Sequence, residues 1–584
     1  MTTNRQDAAY ELRVSAASLA KQRKHPVHSG NGDEQRYASA NYAMSFTKGL
    51  GHNPTTGLIN DKEDFEDLRR AIDEGHVEAF TSKVRASTDK ERQWEAPTAG
   101  VVYELQGPDP QAVTMPPAPA LGSDELAFEM AEVYELALLR DVPLTEFVGE
   151  PTEGPVKDAV DRLNALNYAM NGFSIRPRKN KDGSLTAQTV FRGSSPGVEI
   201  GPYLSQFMLI GNDSLEPGGG NLTNGRIQYG ALTIDQRVPA AKPQNYMTSW
   251  DDWLEVQNGM KKTNLETLYE DACTKPRRFI TYPRDLATYV HHDALYEAYL
   301  NACLILLAMG TPFDPGFSNL SGQGTFFLNS LNLDFDTDLE RHPLAAGGFA
   351  LWGGPHILTL VTEVATRALK AVRYQKFNTH IRLRPEALAA RIERASDIET
   401  QFPHLGGAFS ALGASLDPTV TAIRTANTSG TALLPMAFQE GSPMHPSYGA
   451  GHATVAGACI TILKAYFDTS AVFVRRDGMD TFARHKSGDK AVHYTVDENG
   501  ECLVPSVGGD FLTLEGELNK LAANISIGRN MAGVHYFSDY YNSLRMGEQI
   551  AIGILEEQAL CYPTDPFVMT VPTFDGDVVR IGAR

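Results

Sequence analysis

Three separated stretches of the chain carry residues that could bind an anion and move protons on it. They are Lys376 and Arg384 in the first, His445, Ala450, Gly451 and His452 in the second, and Arg529, His535 and Asp539 in the third. Arginine offers planar forked donors and lysine a compact charge, whereas histidine can titrate near neutral pH. These residue types are suited to a tetrahedral oxyanion: cations hold its oxygens, one histidine bonds its central atom and another transfers protons.

The segment 445–453, with the sequence HPSYGAGHA, is the centre of this set. It is followed by apolar residues at helical spacing from Val455 to Phe467. The pattern predicts a tight loop that enters a buried helix. Free N–H groups and the positive end of the helix dipole would face whatever binds there, which favours an anion.

A helix junction should position the cations of the first stretch. Pro355 begins an apolar pattern that predicts a helix ending near Lys376, and Pro385 opens the next helix. Arg384 precedes a proline, so it should adopt an extended conformation between the two helices. Arg373, Lys376 and Arg384 are therefore expected to cluster at this junction.

Two predicted helices carry the third stretch. One runs from Leu512 to about Arg529, and the other runs from His535 to Glu557. Asp539 lies four residues after His535 and so shares its helix face.

The rest of the sequence predicts a mainly helical fold with small β-hairpins. Helices are expected over 8–24, 61–84, 123–139, 156–169 and 285–307. Loops with small hairpins are expected over 172–245, with a β-prone piece at 186–192, and a hairpin at 489–507; segment 403–443 is expected to be a loop. We divide the chain into an N-terminal arm (1–60), a helical and loop region that supports the core and oligomer contacts (61–280), and a catalytic helical core (281–584).

Composition restricts the classes of partner. The 584 residues contain 52 Lys and Arg against 71 Asp and Glu, a net charge of −19. Such an acidic chain is a poor partner for nucleic acid or an anionic membrane, so an anion site must build its own local positive charge. The five cysteines are scattered, which disfavours a zinc site or a disulfide framework. No signal peptide is recognisable, so a cytoplasmic location is expected, although other routes of export stay open.

An acidic segment offers a candidate cation site. Asp334, Asp336 and Asp338 alternate along the chain, and oxygen ligands so spaced could hold Ca²⁺. The glycine and the final glutamate of an EF-hand loop are missing, so a solvated acidic loop is the alternative.

The three stretches, in this order, resemble a known family. The patterns Lys-x7-Arg-Pro, HPSYGAGHA and Arg-x5-His-x3-Asp are similar to those of the vanadium-dependent haloperoxidases, which share core motifs with type 2 acid phosphatases. HPSYGAGHA, the helix sequence LVTEVATRALKAVRYQKF and GVHYFSDYYNS resemble the red-algal and cyanobacterial bromoperoxidase branch. The close resemblance covers about residues 280–560.

This resemblance implies a haloperoxidase/acid phosphatase-like helical fold with two four-helix bundles and a vanadate cofactor. The residues implied around vanadate are Lys376, Arg384, Ala450, Gly451, His452, Arg529 and His535. His535 would be the vanadium ligand, and His452 the acid–base residue. Lys376 would also polarise bound hydrogen peroxide, and bromide would be oxidised to hypobromous acid, which halogenates small organic acceptors. His445 would be a second histidine near the site, and an arginine at position 373 favours bromide over chloride.

The sequence departs from the family pattern at two positions. Ala450 stands where the family usually has a serine, so one hydrogen bond to vanadate should be missing. A lost bond to a charged group costs about 1.5–3 kcal/mol, or roughly ten- to a hundredfold in affinity. Gly528 likewise replaces a serine that often precedes the arginine of the third motif.

Two other functions are compatible with these residues. A phosphatase could use the same pocket with His535 as nucleophile and His452 as acid, because phosphate and vanadate are near isosteres. The third hypothesis is a structural or assembly protein with weakened catalysis, because Ala450 lacks the hydroxyl that the family usually has there. The resemblance also implies a homo-oligomer, a dodecamer in algal members, with calcium within or between subunits.

Overall fold

The computed structural model describes residues 4–171, 183–212, 222–263, 277–317, 349–562 and 567–582. The calcium candidates Asp334, Asp336 and Asp338 lie outside these residues, so the calcium site stays a prediction.

The described residues form a mainly helical protein, as expected. Its α-helices are α1 (Arg5–Gln22), α2 (Asp33–Arg36), α3 (Lys62–Glu74), α4 (Val77–Ser82), α5 (Asp124–Leu138), α6 (Pro155–Asn164), α7 (Asn167–Asn171), α8 (Trp250–Gln257), α9 (Pro283–His292), α10 (Glu297–Ala308), α11 (Gly354–Tyr374), α12 (Pro385–Glu393), α13 (Ala395–Gln401), α14 (Ala408–Ser415), α15 (Thr419–Ala426), α16 (Gly451–Tyr466), α17 (Leu514–Met531) and α18 (Phe537–Ala559). A π-helical turn, Gln375–His380, continues α11.

The described residues also form small antiparallel sheets. The strands are β1 (Arg226–Tyr229), β2 (Leu232–Asp235), β3 (Val238–Pro239), β4 (Arg277–Arg278), β5 (Val472–Arg476), β6 (Met479–Ala483), β7 (Lys490–Val496), β8 (Leu503–Val507), β9 (Val568–Pro572) and β10 (Val578–Gly582). β6, β5, β7 and β8 form one sheet in that order, whereas β1–β2, β3–β4 and β9–β10 are separate pairs. The hairpin expected at 489–507 is therefore β7–β8, here joined to two strands that the pattern did not predict.

Helix α16 is the centre of the core. It packs against α11, α17 and α18, and the residues from Ala453 to Tyr466 are all buried. The main hydrophobic cluster extends from Tyr37 to Ile581, so all three predicted segments of the chain contribute to one core. The polar groups of the three motifs are thereby fixed on elements that share one packed interior.

Glycines allow α16 and α18 to approach backbone to backbone. A Cβ on Gly457 would overlap the carbonyl oxygen of Leu544, and one on Gly547 would overlap that of Thr454. Because backbone cannot move aside as a side chain can, these two positions require glycine.

The structure confirms several of the predicted helices. Ser123 accepts a hydrogen bond from the amide of Leu126 at the start of α5, as its position predicted. The predicted helix 61–84 is observed as α3 and α4, with Gly75 in the left-handed conformation between them. The predicted helices of the third motif are observed as α17 and α18.

Three local predictions are wrong. Segment 285–307 is not one helix, since α9 ends before Asp293 and α10 begins at Glu297. The β-prone piece 186–192 forms turns, in which the Val190 amide donates to the carbonyl of Thr186. The expected loop 403–443 contains α14 and α15, because burial of apolar side chains such as Phe409 and Ile423 outweighs a loop-like composition.

Among the described residues, none of the helices combines the length and apolar character needed to cross a membrane.

We expect Gly457→Ala to destabilise the protein by about 1–3 kcal/mol, because the added methyl group would force α16 and α18 apart. The midpoint of chemical denaturation measures the effect. Gly354→Ala is the matched control, since the nearest atom to its Cβ would be Leu307 Cδ1 at 4.0 Å. Equal midpoints for the two variants would contradict the backbone contact.

Candidate active site

The loop before α16 presents backbone donors, as predicted. Ala450 is the N-cap residue of α16 with extended backbone (φ −87°, ψ 123°), and it makes no side-chain cap. Its own amide donates to Ser543 Oγ at 2.8 Å, which ties the loop to α18. Since the first amides of a helix have no intrahelical acceptor, those of Gly451 and His452 are left for a ligand.

Lys376 lies fully buried beside this loop. Its Nζ donates to the carbonyl oxygens of Pro446 at 2.8 Å and Ser447 at 3.0 Å. Burial, followed by Arg384 and Arg373, lowers the pKa of Lys376 well below its usual range. The ammonium thus contacts dipoles rather than a carboxylate, and a bound anion would stabilise its charged form.

Arg384 joins the three motifs. Its Nε donates to the carbonyl of His445 at 3.0 Å, and its Nη2 donates to Nδ1 of the same histidine at 2.7 Å. Its Nη1 donates to the Val534 carbonyl at 2.7 Å and to His535 Nε2 at 3.0 Å. The same Nδ1 lies 3.1 Å from the Pro446 carbonyl, but arginine always donates and its contact is the shorter one, so we assign the lone pair to Nδ1 and the proton to Nε2.

His535 and Asp539 form a buried pair. The Nδ1 of His535 lies 2.8 Å from Asp539 Oδ2, as their spacing on one face predicted. Burial alone would raise the pKa of Asp539, but Arg382 and His535 hold it well below its usual range. An ionised carboxylate only accepts, so Nδ1 holds the proton and Nε2 presents its lone pair towards Arg384.

The charge state of His535 agrees with this tautomer. Burial and the neighbouring Arg384 lower its pKa well below the usual range, and the opposing effect of Asp539 is smaller. A neutral imidazole with an unprotonated Nε2 is the form of histidine that binds metals.

A second layer of polar groups holds Asp539. Ser447 Oγ donates to its Oδ2, and Arg382 Nη1 donates to Oδ1 at 2.8 Å. Arg382 also pairs with the buried Glu129 and lies over the ring of Tyr536 at 3.9 Å. These contacts fix the carboxylate that orients His535.

Arg529 supplies a third cation. Its Nη1 donates to the Val290 carbonyl at 2.7 Å, and its guanidinium lies 5.3 Å from the ring centre of Phe438. Its buried Nε has no hydrogen-bond partner within the described part of the chain. A buried unpaired donor is costly, so this N–H is suited to an oxyanion.

His452 pairs with a residue that the sequence did not indicate. Its Nε2 lies 3.0 Å from Asp293 Oδ1, just beyond the end of α9. Burial alone would raise the pKa of Asp293, but His452 and Arg529 lower it, so the carboxylate accepts from Nε2–H. The remaining Nδ1 is then the atom of His452 that can take up a proton.

Arg373 and Glu95 complete the observed set. Glu95 Oε2 lies 3.9 Å from Arg373 Nη2 and 3.5 Å from His445 Nε2. The side chain of Glu95 is 45% exposed, against 13% for Arg373 and 8% for His445. Glu95 therefore stands between solvent and the buried cations.

Comparisons with known proteins place this geometry in a family. Residues 418–560 match the model of the VCPO second helical-bundle domain. The chain is 41% identical to the vanadium-dependent bromoperoxidases of Corallina pilulifera and Corallina officinalis, over 99% of this chain and 98% of each relative. It belongs to the vanadium-dependent bromoperoxidases. The likeness includes the N-terminal half, beyond the region that the motifs covered.

A structural comparison agrees with this membership. The chain is similar to the homohexameric structure of the second vanadate-dependent bromoperoxidase from Ascophyllum nodosum, with a TM-score of 0.74 and 26% identity. The alignment covers 99% of this chain and 91% of that one. The mainly helical fold with small hairpins is thus the fold of the bromoperoxidase family.

The residues of this bromoperoxidase fit an oxyanion better than a metal cation. Arg384 contacts His535 Nε2, its charge lowers the pKa of the buried Lys376, and the charge of the buried Arg529 lowers the pKa of Arg384, so the three cations lie close to one another beside His535. Among the described residues, no group of three or more His, Cys, Asp or Glu could hold a metal ion. Vanadate carries its own oxygens and needs one protein ligand, so it suits this set.

Sequence reasoning missed the residues that orient the predicted ones. They are Glu95, Glu129, Asp293, Arg382 and Ser447. Ser447 and Arg382 lie inside or beside the motifs, so polar residues next to predicted ligands were a usable signal. Asp293, Glu95 and Glu129 come from distant segments, and no local pattern identifies them.

The structure gives a reason for one of the two departures from the family pattern. A Cβ at Gly528 would lie 3.0 Å from Leu286 Cγ, where α17 packs against α9. Glycine therefore suits this close packing better than serine does.

We expect Ala450→Ser to tighten vanadate binding by about ten- to a hundredfold, because the added hydroxyl would hydrogen-bond the anion at the N-terminus of α16. Titration of activity against vanadate measures the change. Ala450→Gly is the matched control, because it removes the methyl group without adding a donor. If the serine and glycine variants give the same titration curve, the missing-hydroxyl argument fails.

Proposed function

We propose that this chain uses hydrogen peroxide to oxidise bromide to hypobromous acid at a bound vanadate, and that small organic acceptors are then brominated. The observation that carries the proposal is the lone pair of His535 Nε2, which Asp539 fixes by accepting from Nδ1 at 2.8 Å. One neutral nitrogen among three buried cations is suited to an anionic metal centre.

Three kinds of group from the chain would hold vanadate: a histidine ligand, buried cations and a backbone amide. His535 Nε2 would be the protein ligand, and Lys376, Arg384 and Arg529 would neutralise the oxygens. The amide of Gly451 would donate to one oxygen from the helix N-terminus. When bound, vanadate supplies the Lewis acidity that activates hydrogen peroxide towards bromide.

His452 and Asp293 are suited to proton transfer. Asp293 holds the Nε2–H of His452, which leaves Nδ1 to accept a proton from incoming hydrogen peroxide and to return it to a departing oxygen. The same carboxylate stabilises the imidazolium that forms in between. Lys376 would stabilise negative charge on the peroxide oxygens.

Arg373 and His445 are suited to the halide. Both lie at the solvent side of the cation cluster, and the Nε2–H of His445 faces the space beside Arg373. A positive charge and an N–H donor together would attract bromide to the oxidising centre.

We also propose that the chain forms a homo-oligomer. The bromoperoxidase from Ascophyllum nodosum to which it is similar in structure is a homohexamer. Twelve subunits, and calcium bound within or between them, stay predictions from the family resemblance.

The deciding experiment compares bromination with ester hydrolysis. Purified protein loaded with vanadate should brominate a phenol-type dye in the presence of hydrogen peroxide and bromide, and the product is followed by absorbance. A protein that stays inactive with vanadate but hydrolyses phosphate esters without it would be a phosphatase. A protein that neither brominates nor retains vanadium would favour an assembly role.

We expect His535→Ala to abolish vanadium retention, because the substitution removes the Nε2 lone pair whose direction Asp539 fixes beside Arg384. Metal content per subunit after dialysis measures retention by the folded protein. His485→Ala is the control, since His485 is exposed and packs on Phe511 away from the cations. Full vanadium content in the His535 variant would refute the assignment of the ligand.

A further inference from the structure

Glu95 is an acidic residue placed against a pocket whose other groups favour anions. Its carboxylate faces Nη2 of Arg373 at 3.9 Å and Nε2 of His445 at 3.5 Å. Burial lowers the pKa of Lys376, Arg373, Arg384 and Arg529, and Glu95 acts in the opposite direction at each of them. Its field therefore reaches the whole cation cluster.

The backbone holds Glu95 firmly in this place. Its amide donates to the carbonyl of Met444 at 3.0 Å, and the amide of Met444 faces Glu95 Oε1 at 3.4 Å. The preceding residue, Trp94, donates from Nε1 to the Lys48 carbonyl at 2.9 Å. Hydrogen bonds thus hold the segment that carries Glu95 against the segment that leads into His445.

The contacts of the carboxylate itself are long. Distances of 3.5 and 3.9 Å exceed those of ordinary N–H···O hydrogen bonds, so Glu95 does not satisfy either donor fully. Because Arg384 donates to His445 Nδ1 at 2.7 Å, closer than the Pro446 carbonyl at 3.1 Å, we assign the ring proton to Nε2, which faces Glu95. The donors that an incoming halide needs are therefore the ones that Glu95 faces.

We propose that Glu95 is a tethered competitor of the halide and sets the affinity of the pocket for small anions. Its carboxylate faces Arg373 and the Nε2–H of His445 when the halide is absent. A bromide ion that binds there displaces the carboxylate towards solvent, to which it is already 45% exposed. This inference rests on the proposed bromide oxidation and names a residue that determines its halide affinity.

The test compares Glu95→Gln with Glu91→Gln. Glu91 is an exposed acidic residue of the same segment, and its carboxylate accepts from the amide of Lys261. Removing one charge about 4 Å from a solvent-facing site is worth about fivefold in anion affinity. We expect Glu95→Gln to lower the bromide KM about fivefold with kcat nearly unchanged, and Glu91→Gln to match the wild type.

A second measurement needs no turnover. Calorimetry with inorganic phosphate as the probe and vanadate-free protein should show tighter binding to Glu95→Gln than to the wild type, with a gain that shrinks as ionic strength rises. Glu95→Asp keeps the charge, so we expect its phosphate affinity to lie closer to the wild type.

The outcomes separate this inference from the proposed function. An active wild type with unchanged bromide KM and phosphate affinity in Glu95→Gln would refute the competitor alone. If both kcat and thermal stability fall in Glu95→Gln, the role of Glu95 is only to hold the loop in place. That result would also refute the inference. A wild type that binds phosphate but oxidises no bromide would refute the proposed function and, with it, the halide role of Glu95.

Discussion

The hydrogen bond between His535 and the Asp539 carboxylate is the interaction on which the site depends. It sets the tautomer of the imidazole, so it decides which nitrogen can bind a metal. Asp539 can act this way because Arg382 and Ser447 hold it ionised in a fully buried place. A chain of buried polar groups thus fixes the direction of one lone pair.

The positive charges around this lone pair are stabilised in another way than the charge of Asp539. Lys376, Arg384 and Arg529 donate to backbone carbonyls, so dipoles rather than carboxylates accept their hydrogen bonds. Burying charge in this way costs roughly several kcal/mol per ion. An anion returns part of that free energy when it binds, which gives the pocket affinity for an anion in a protein of net charge −19.

Sequence predicted the parts of the site that depend on local spacing. The entry to α16, the junction at Pro385 and the pair His535–Asp539 follow from periodicity, proline and i, i+4 geometry. It could not predict Asp293 or Glu95, because tertiary contacts alone bring them to the site. The break between α9 and α10 was missed for a related reason: the apolar pattern continues, yet Asp293 ends the helix in extended conformation where it meets His452.

The contact between α16 and α18 has a consequence for how the pocket assembles. α16 begins with Gly451 and His452, α18 carries Asp539, and the glycines at 457 and 547 let the two backbones touch. Segments joined by such dense, buried packing open together rather than one at a time. The N-terminus of α16 and Asp539 on α18 should therefore open and close as one unit, so that local unfolding of either helix removes the anion pocket.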